Sequence, residues 1–209
     1  MSRLVQAIIL VEDLNVARQR MTALGFATED GGRHPGRGTA NLIVPFGDEY
    51  LELLAVVDAR EARASRQGRP VHDALSRRGP GLARWSLESS DIEATAGRLG
   101  LPVERRQRIR PDAETVHWRA VGVDEAWAQP WRCAFMAWDD PWLHPARRGT
   151  SHPNGALGFA ALEVSVPSEA ELVSWIGEGP PPKVEVRTGP DVGPGKLVVS
   201  TASGQLEID

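Results

Sequence analysis

Glu52 stands in the middle of an apolar run, flanked by Leu51 and Leu53. A carboxylate there either faces solvent or is held inside for its chemistry, because an unpaired buried charge is costly. His34, His144 and His152 each precede a proline, which places them in loops that a rigid scaffold can aim. A carboxylate and an imidazole brought together could hold a divalent cation or move a proton. The plain alternative is that all three are ordinary loop histidines. Five of the seven tryptophans (Trp118, Trp127, Trp131, Trp138 and Trp142) fall within residues 118–142. Over residues 115–121 the alternation sets Val116, Trp118 and Ala120 against His117 and Arg119, so one face of that strand is apolar. Each indole by itself defaults to core. Their density suits a pocket wall, and Trp118 and Trp138 are the candidates to touch a ligand.

These residues need a scaffold, and the hydropathy pattern supplies one. Residues 4–11 read as a buried strand. Asp13 caps a helix carrying Leu14, Ala17, Met21 and Leu24, and Gly25 ends it. A strand over 26–29 leads into a glycine-rich loop at 31–38. Two apolar runs joined by the Pro45-Phe46-Gly47-Asp48 turn then form a hairpin. The order is β-α-β-β-β. Residues 59–81 are an arginine-rich helical crossover, read as a solvated connection. The opening pattern then returns, with Asp91-Ile92 repeating Asp13-Leu14. Strands are expected at 82–88, 102–109, 115–121 and 131–138, with a long loop at 122–130. A third, shorter copy occupies 158–209, opened by a capping box of Ser168 and Glu171. In it Gln205-Leu206-Glu207-Ile208 echoes Tyr50-Leu51-Glu52-Leu53. The expected division is therefore 1–58, 59–81, 82–157 and 158–209. Two modules close a cup, so the third must pack on that cup or pair with its copy in a homodimer.

Residues 31–56, with the glycine-rich Gly31-Gly32-Arg33-His34-Pro35-Gly36-Arg37-Gly38-Thr39-Ala40-Asn41, the Pro-Phe-Gly-Asp turn and Tyr50-Leu51-Glu52-Leu53, resemble the glyoxalase-like domains of the vicinal oxygen chelate superfamily. The resemblance is strongest over 4–58 and traceable over 81–158. It implies an α+β fold in which repeated βαβββ modules form a cupped mixed sheet with helices outside. It also implies that residues on the first and last strand of each module face the concave side, where a divalent metal is usually held. By that resemblance Gln6 occupies a position where histidine is common, and Glu52 keeps the usual carboxylate. Arg84 and Ala137 take the corresponding places in the second module. Glutamine is a weak neutral donor, arginine cannot bind a cation, and alanine offers nothing. His34, inside the matching stretch, is the histidine best placed to join Glu52 in a metal or catalytic pair. Asn41 and Tyr50, in the same stretch, are further ligand contacts. Arg84 either neutralises Glu52 or grips the oxygens of a small acid with its planar fork. Trp85, the next residue, points the other way and belongs to the core.

The expected function is binding of a small organic molecule, such as a carboxylate, without a conventional metal centre. The alternatives are a divalent-metal lyase, isomerase or dioxygenase, and an interaction module whose cup is plugged by its own side chains. Other classes are disfavoured. A net charge of −4 gives no footprint for nucleic acid. The apolar run at 7–11 is too short for a membrane span or a signal core. One cysteine, Cys133, allows no internal disulfide and suits a cytoplasmic setting. There is no nucleophile elbow or zinc-binding cysteine pair, and the glycines of 31–38 precede a strand rather than a helix. Nucleotide and redox cofactors are therefore not expected.

Overall fold

A computed structural model describes residues 2–109, 114–140, 142, 144–147 and 149–208. The first βαβββ unit comprises β1 (Arg3–Val11), α1 (Leu14–Ala23), β2 (Glu29–His34), β3 (Thr39–Pro45) and β4 (Tyr50–Val56). Two crossover helices follow, α2 (Ala59–Ala64) and α3 (Arg69–Arg78). The second unit has β5 (Gly81–Glu88), α4 (Ile92–Leu99), β6 (Glu104–Ile109), β7 (Thr115–Val121), α5 (Val123–Ala128) and β8 (Ala134–Trp138). The last contains β9 (Gly158–Val166), α6 (Glu169–Ile176), β10 (Val184–Thr188), β11 (Gly193–Thr201) and β12 (Gly204–Ile208). Among the described residues no helix is long and apolar enough to cross a membrane.

The first two units form one eight-stranded sheet in the order β2-β3-β4-β1-β5-β8-β7-β6. The order is palindromic. In each half the first strand pairs in parallel with the last, and the two first strands meet antiparallel at the centre. The sheet curls until its two edge strands, β2 and β6, touch. Alternation along the strands decides which residues the curl encloses. On β1, Gln6, Ile8 and Leu10 face the concave side, whereas Ala7 and Ile9 join Met21 of α1 in the outer core. On β5, Trp85 and Leu87 likewise belong to the outer core, fully buried.

Helix ends follow their capping residues. The side chains of Asp13 and Asp91 accept from the free N–H groups of α1 and α4. Ser168 caps α6 by accepting from the Glu171 N–H, and its hydroxyl donates to the Glu171 carboxylate rather than the carboxylate reaching the Ser168 N–H as a capping box would.

Several expectations need correction. The stretch 31–38 is half strand: β2 runs through His34, and the turn occupies 35–38. At Gly31 a Cβ would lie 2.0 Å from Asn41 Oδ1 on the neighbouring strand. Glycine there leaves room for the Asn41 side-chain amide, which a Cβ would displace. Phe26 lies before the strand, buried in the outer core. Residues 122–130 are not an open loop but contain α5, whose first turn carries Asp124 and Glu125, favourable at a helix N-terminus. The last unit has the element order of the other two but a different winding, β10-β9-β11-β12. Its first strand lies between the second and third rather than beside the fourth. Glu207 therefore sits on an edge strand, half exposed and paired with Lys196, and is no counterpart of Glu52.

That last sheet packs on the outer face of the cup. Leu162, Val164, Leu197 and Val199 share one core with Ala7, Ile9, Trp85 and Leu87. Trp175 of α6 donates from Nε1 to the Cys133 carbonyl at 2.9 Å. Arg98 of α4 donates to the Ser174, Trp175 and Ile176 carbonyls, the open end of α6, at 2.9, 2.9 and 2.8 Å.

Candidate functional site

The concave face is built in three layers. One end of the cup is filled by Val71 and Ala74 of α3 and Val123 and Trp127 of α5, packed on Ile8, Leu10 and Leu54. The other end holds Val5, Ile43, Tyr50, Met136 and Ala146. Between these apolar layers lies a polar belt around a cavity of about 90 Å3. The cavity is lined by all eight residues singled out from the sequence: Gln6, His34, Asn41, Tyr50, Glu52, Arg84, Trp118 and Trp138. Arg37, Arg106, Arg108, Met136 and Trp127 line it as well.

A hydrogen-bonded chain crosses the belt. Asn41 Nδ2 donates to Glu52 Oε1 at 2.7 Å, and Gln6 Nε2 donates to Glu52 Oε2. Gln6 Oε1 in turn accepts from Ser86 Oγ at 2.7 Å and from Arg84 Nη2 at 3.4 Å. No ion pair joins Arg84 to Glu52 directly, contrary to the simplest expectation. Gln6 stands between them, because Glu52 pairs with Ile8 across the β1–β4 ladder while Arg84 approaches from the opposite side on β5. The Arg84 guanidinium lies 5.2 Å from the Trp127 ring centroid, a cation–π distance. Burial lowers its pKa to about 10 and the Glu52 charge opposes that, so it remains charged at neutral pH. Burial, and then the Glu52 charge, push the Tyr50 phenol well above its ordinary range.

Among the described residues, donors on the cavity wall without a hydrogen-bond partner include Arg84 Nε, Arg106 Nε and Trp138 Nε1. Against the four guanidiniums of Arg37, Arg84, Arg106 and Arg108, Glu52 is the one carboxylate on the wall among the described residues. Arg106 has its own partner outside, Glu104, at 2.7 Å. The belt is thus rich in donors and positive charge.

His34 lines the cavity and shares a hydrogen bond of 2.8 Å with Thr39 Oγ1. Burial, then Arg37 and Arg108, lower its pKa to about 3, so the ring is neutral. The other two loop histidines lie off the wall. His144 packs edge-on against Tyr50 and Trp138 and accepts from the Ala146 N–H through Nδ1. His152 accepts from the Ala27 N–H, donates to the Pro45 carbonyl and packs between Phe26 and Phe46. It braces the first unit.

The superfamily's divalent metal can be tested against this donor set. Among the described residues no three His, Cys, Asp or Glu side chains converge as a cation site. Glu52 has both oxygens engaged by amides, and its charged neighbours on the wall are arginines. These residues do not fit a divalent cation, and Glu52 with His34 finds no third ligand.

The register also corrects the second-module position read as Ala137. That residue packs with the outer core, while Met136 and Trp138 face inward. Ser86 pairs with Ala134 as Ile8 pairs with Glu52, so Ala134 takes the equivalent place. The sequence reading missed Arg106 and Arg108. Their spacing of two on β6 was the available signal, since it puts both on one face.

A palindromic cup of two βαβββ units, with its polar side chains gathered on the concave floor, is the architecture of the vicinal oxygen chelate superfamily. The model of the glyoxalase-like domain family matches residues 7–178, and the chain belongs to that family. No curated protein matches the sequence. Among solved structures, a hypothetical protein from Staphylococcus aureus shares 13% identity at a TM-score of 0.72, covering 98% of this chain and 93% of its own. Methylmalonyl-CoA epimerase from Mycobacterium tuberculosis is 19% identical with a TM-score of 0.44, over 64% of this chain and 84% of its own. An epimerase of that name in complex with methylmalonyl-CoA is 16% identical with a TM-score of 0.46, over 65% and 92%.

Proposed function

We propose that this protein binds a small organic carboxylate in the cup, through hydrogen bonds and guanidinium charge rather than through a metal ion. The observation that carries the reading is the set of unpartnered donors, Arg84 Nε, Arg106 Nε and Trp138 Nε1, on a wall with four arginines and one acid. Buried donors without acceptors are costly, and a carboxylate supplies two acceptor oxygens and the missing negative charge. Arg84 grips the carboxylate. Trp118 and Trp138, whose ring centroids are 5.4 Å apart, flank the organic portion. Asn41 and Gln6 hold Glu52 in place on the far side. A cavity of about 90 Å3 restricts the ligand to a few heavy atoms within the belt.

Calorimetry and tryptophan fluorescence with lactate, pyruvate, butyrate and benzoate, each beside its neutral amide, test the reading. At least one acid binds, and its amide binds more weakly by about 10- to 100-fold, the worth of a hydrogen bond to a charged group. Arg84→Gln produces a loss of the same size while leaving the circular dichroism spectrum unchanged. Equal affinity for acid and amide, or no binding by any of the four acids, overturns it.

A further inference from the structure

With both ends of the cup filled by apolar side chains, a ligand must reach the belt from the side. The wall has one weak line. Every neighbouring pair of strands from β2 round to β6 is joined by a backbone ladder, but β2 and β6, which meet to complete the wall, share none among the described residues. Two arginines span the gap instead. Arg37 Nη2 donates to the Gln107 carbonyl at 3.3 Å, and Arg108 Nη1 donates to the Gly31 carbonyl at 3.4 Å. Both bonds are long, and long bonds are weak.

The sequences of the two strands explain why they do not zip together. β2 reads Glu-Asp-Gly-Gly-Arg-His, with a register shift between Asp30 and Gly32. β6 reads Glu-Arg-Arg-Gln-Arg-Ile. Glycines, a bulge and clustered charge are features that keep edge strands from pairing. The cavity also reaches the surface here. Arg37 and Gln67 line both the cavity and an outer depression formed with Pro35, Gly36, Arg66, Glu104 and Arg105.

We infer that the seam between β2 and β6 is the port of the cup and that the half-buried side chain of Arg37 is its gate, bridging to Gln107 when closed and swinging outward to admit a ligand. The inference rests on the reading of the cup as a ligand site. Arg37 suits the role because it is carried on the turn between β2 and β3 and is held across the seam by a single exposed contact. Its charge also favours anions at the mouth. Arg108, buried on β6, stays behind as part of the wall.

Quenching of tryptophan fluorescence by acrylamide tests the gate without any carboxylate, so its outcome is separate from that of the binding experiment. The background is Trp142→Phe, which removes the one indole that is 85% exposed. In that background Arg37→Ala raises the quenching constant about threefold, as opening a path to Trp118 and Trp138 requires. Arg37→Lys, which keeps the charge but not the planar fork, gives a smaller rise in the same direction. It carries the comparison if the alanine variant fails to fold. Arg33→Ala, which removes an exposed arginine of β2 that pairs with Glu61 away from the cavity, leaves quenching unchanged. Unchanged quenching in both Arg37 variants, or an equal rise from Arg33→Ala, overturns the assignment.

Discussion

Single residues decide what this cup can hold. With Gln6 and Asn41 beside it, Glu52 is bound to amides on both oxygens, and the Arg84 guanidinium lies beyond Gln6. Gly31 matters to that arrangement although it carries no side chain. A methyl group there would meet Asn41 Oδ1 at 2.0 Å and Cγ at 2.6 Å, so Asn41 must move and release Glu52. Gly31→Ala therefore lowers stability by about 1–3 kcal/mol, the usual cost of overpacking a buried site, read as a fall in urea midpoint. Two of the buried histidines, His34 and His144, set a pH dependence. His34 is lowered to about 3 and His144 to about 4, each chiefly by burial. An unfolded chain protonates both near 6.5. As pH falls below that value the unfolded state takes up protons that the folded state refuses, so stability drops until about 4 for His144 and about 3 for His34. By pH 5.5 the loss is roughly 1 kcal/mol per histidine. Urea titrations at pH 7.5 and 5.5 show it, and a His34→Asn, His144→Asn double variant loses less over the same interval.

At the scale of elements, the two halves of the cup repeat because their signals repeat: strand, aspartate cap, helix, then three strands. The last unit carries the same signals with a different outcome. Its helix is held from outside by Arg98, which satisfies three carbonyls at the end of α6. Arg98→Ala leaves those carbonyls and the contact with α4 unmet. It costs about 2 kcal/mol and shows first as faster amide exchange in α6 and β10, with β1 and β5 unaffected. Equal acceleration throughout the chain would contradict this placement of the lock. The echo between Gln205-Leu206-Glu207-Ile208 and Tyr50-Leu51-Glu52-Leu53 shows the limit of short likenesses. Both segments are strands, but one lies inside a sheet beside β1 and the other on an open edge, so their acids meet opposite fates.

At the scale of the whole molecule, the sum of charges on the wall separates the two chemistries. A divalent cation would face four guanidiniums and one engaged carboxylate, whereas an anion would meet unpartnered donors. Protein purified without a metal-affinity tag accordingly carries far less than one transition metal per chain by elemental analysis, and a chelator leaves its melting temperature unchanged. One equivalent of metal lost on Glu52→Ala would reverse this conclusion. The last sheet, packed on the outer face, buries apolar surface that would otherwise be open.

Whereas Glu52 and Arg84 were put on the concave side by the family resemblance, local chemistry was enough to read the strand and helix periods, the aspartate and serine caps, the repeated βαβββ signals and the shared face of Gln6, Ile8 and Leu10. Those properties belong to stretches of a few residues, and alternation of two per strand repeat carries them wherever the strand goes. Distant approach decided the rest. β6 closes against β2 and brings Arg106 and Arg108 to the belt, α5 forms a lid over it, and the last sheet winds in its own order. Each depends on which surfaces meet after the chain has folded back across tens of residues, a choice made by the total burial and closure of the wall rather than by any one segment.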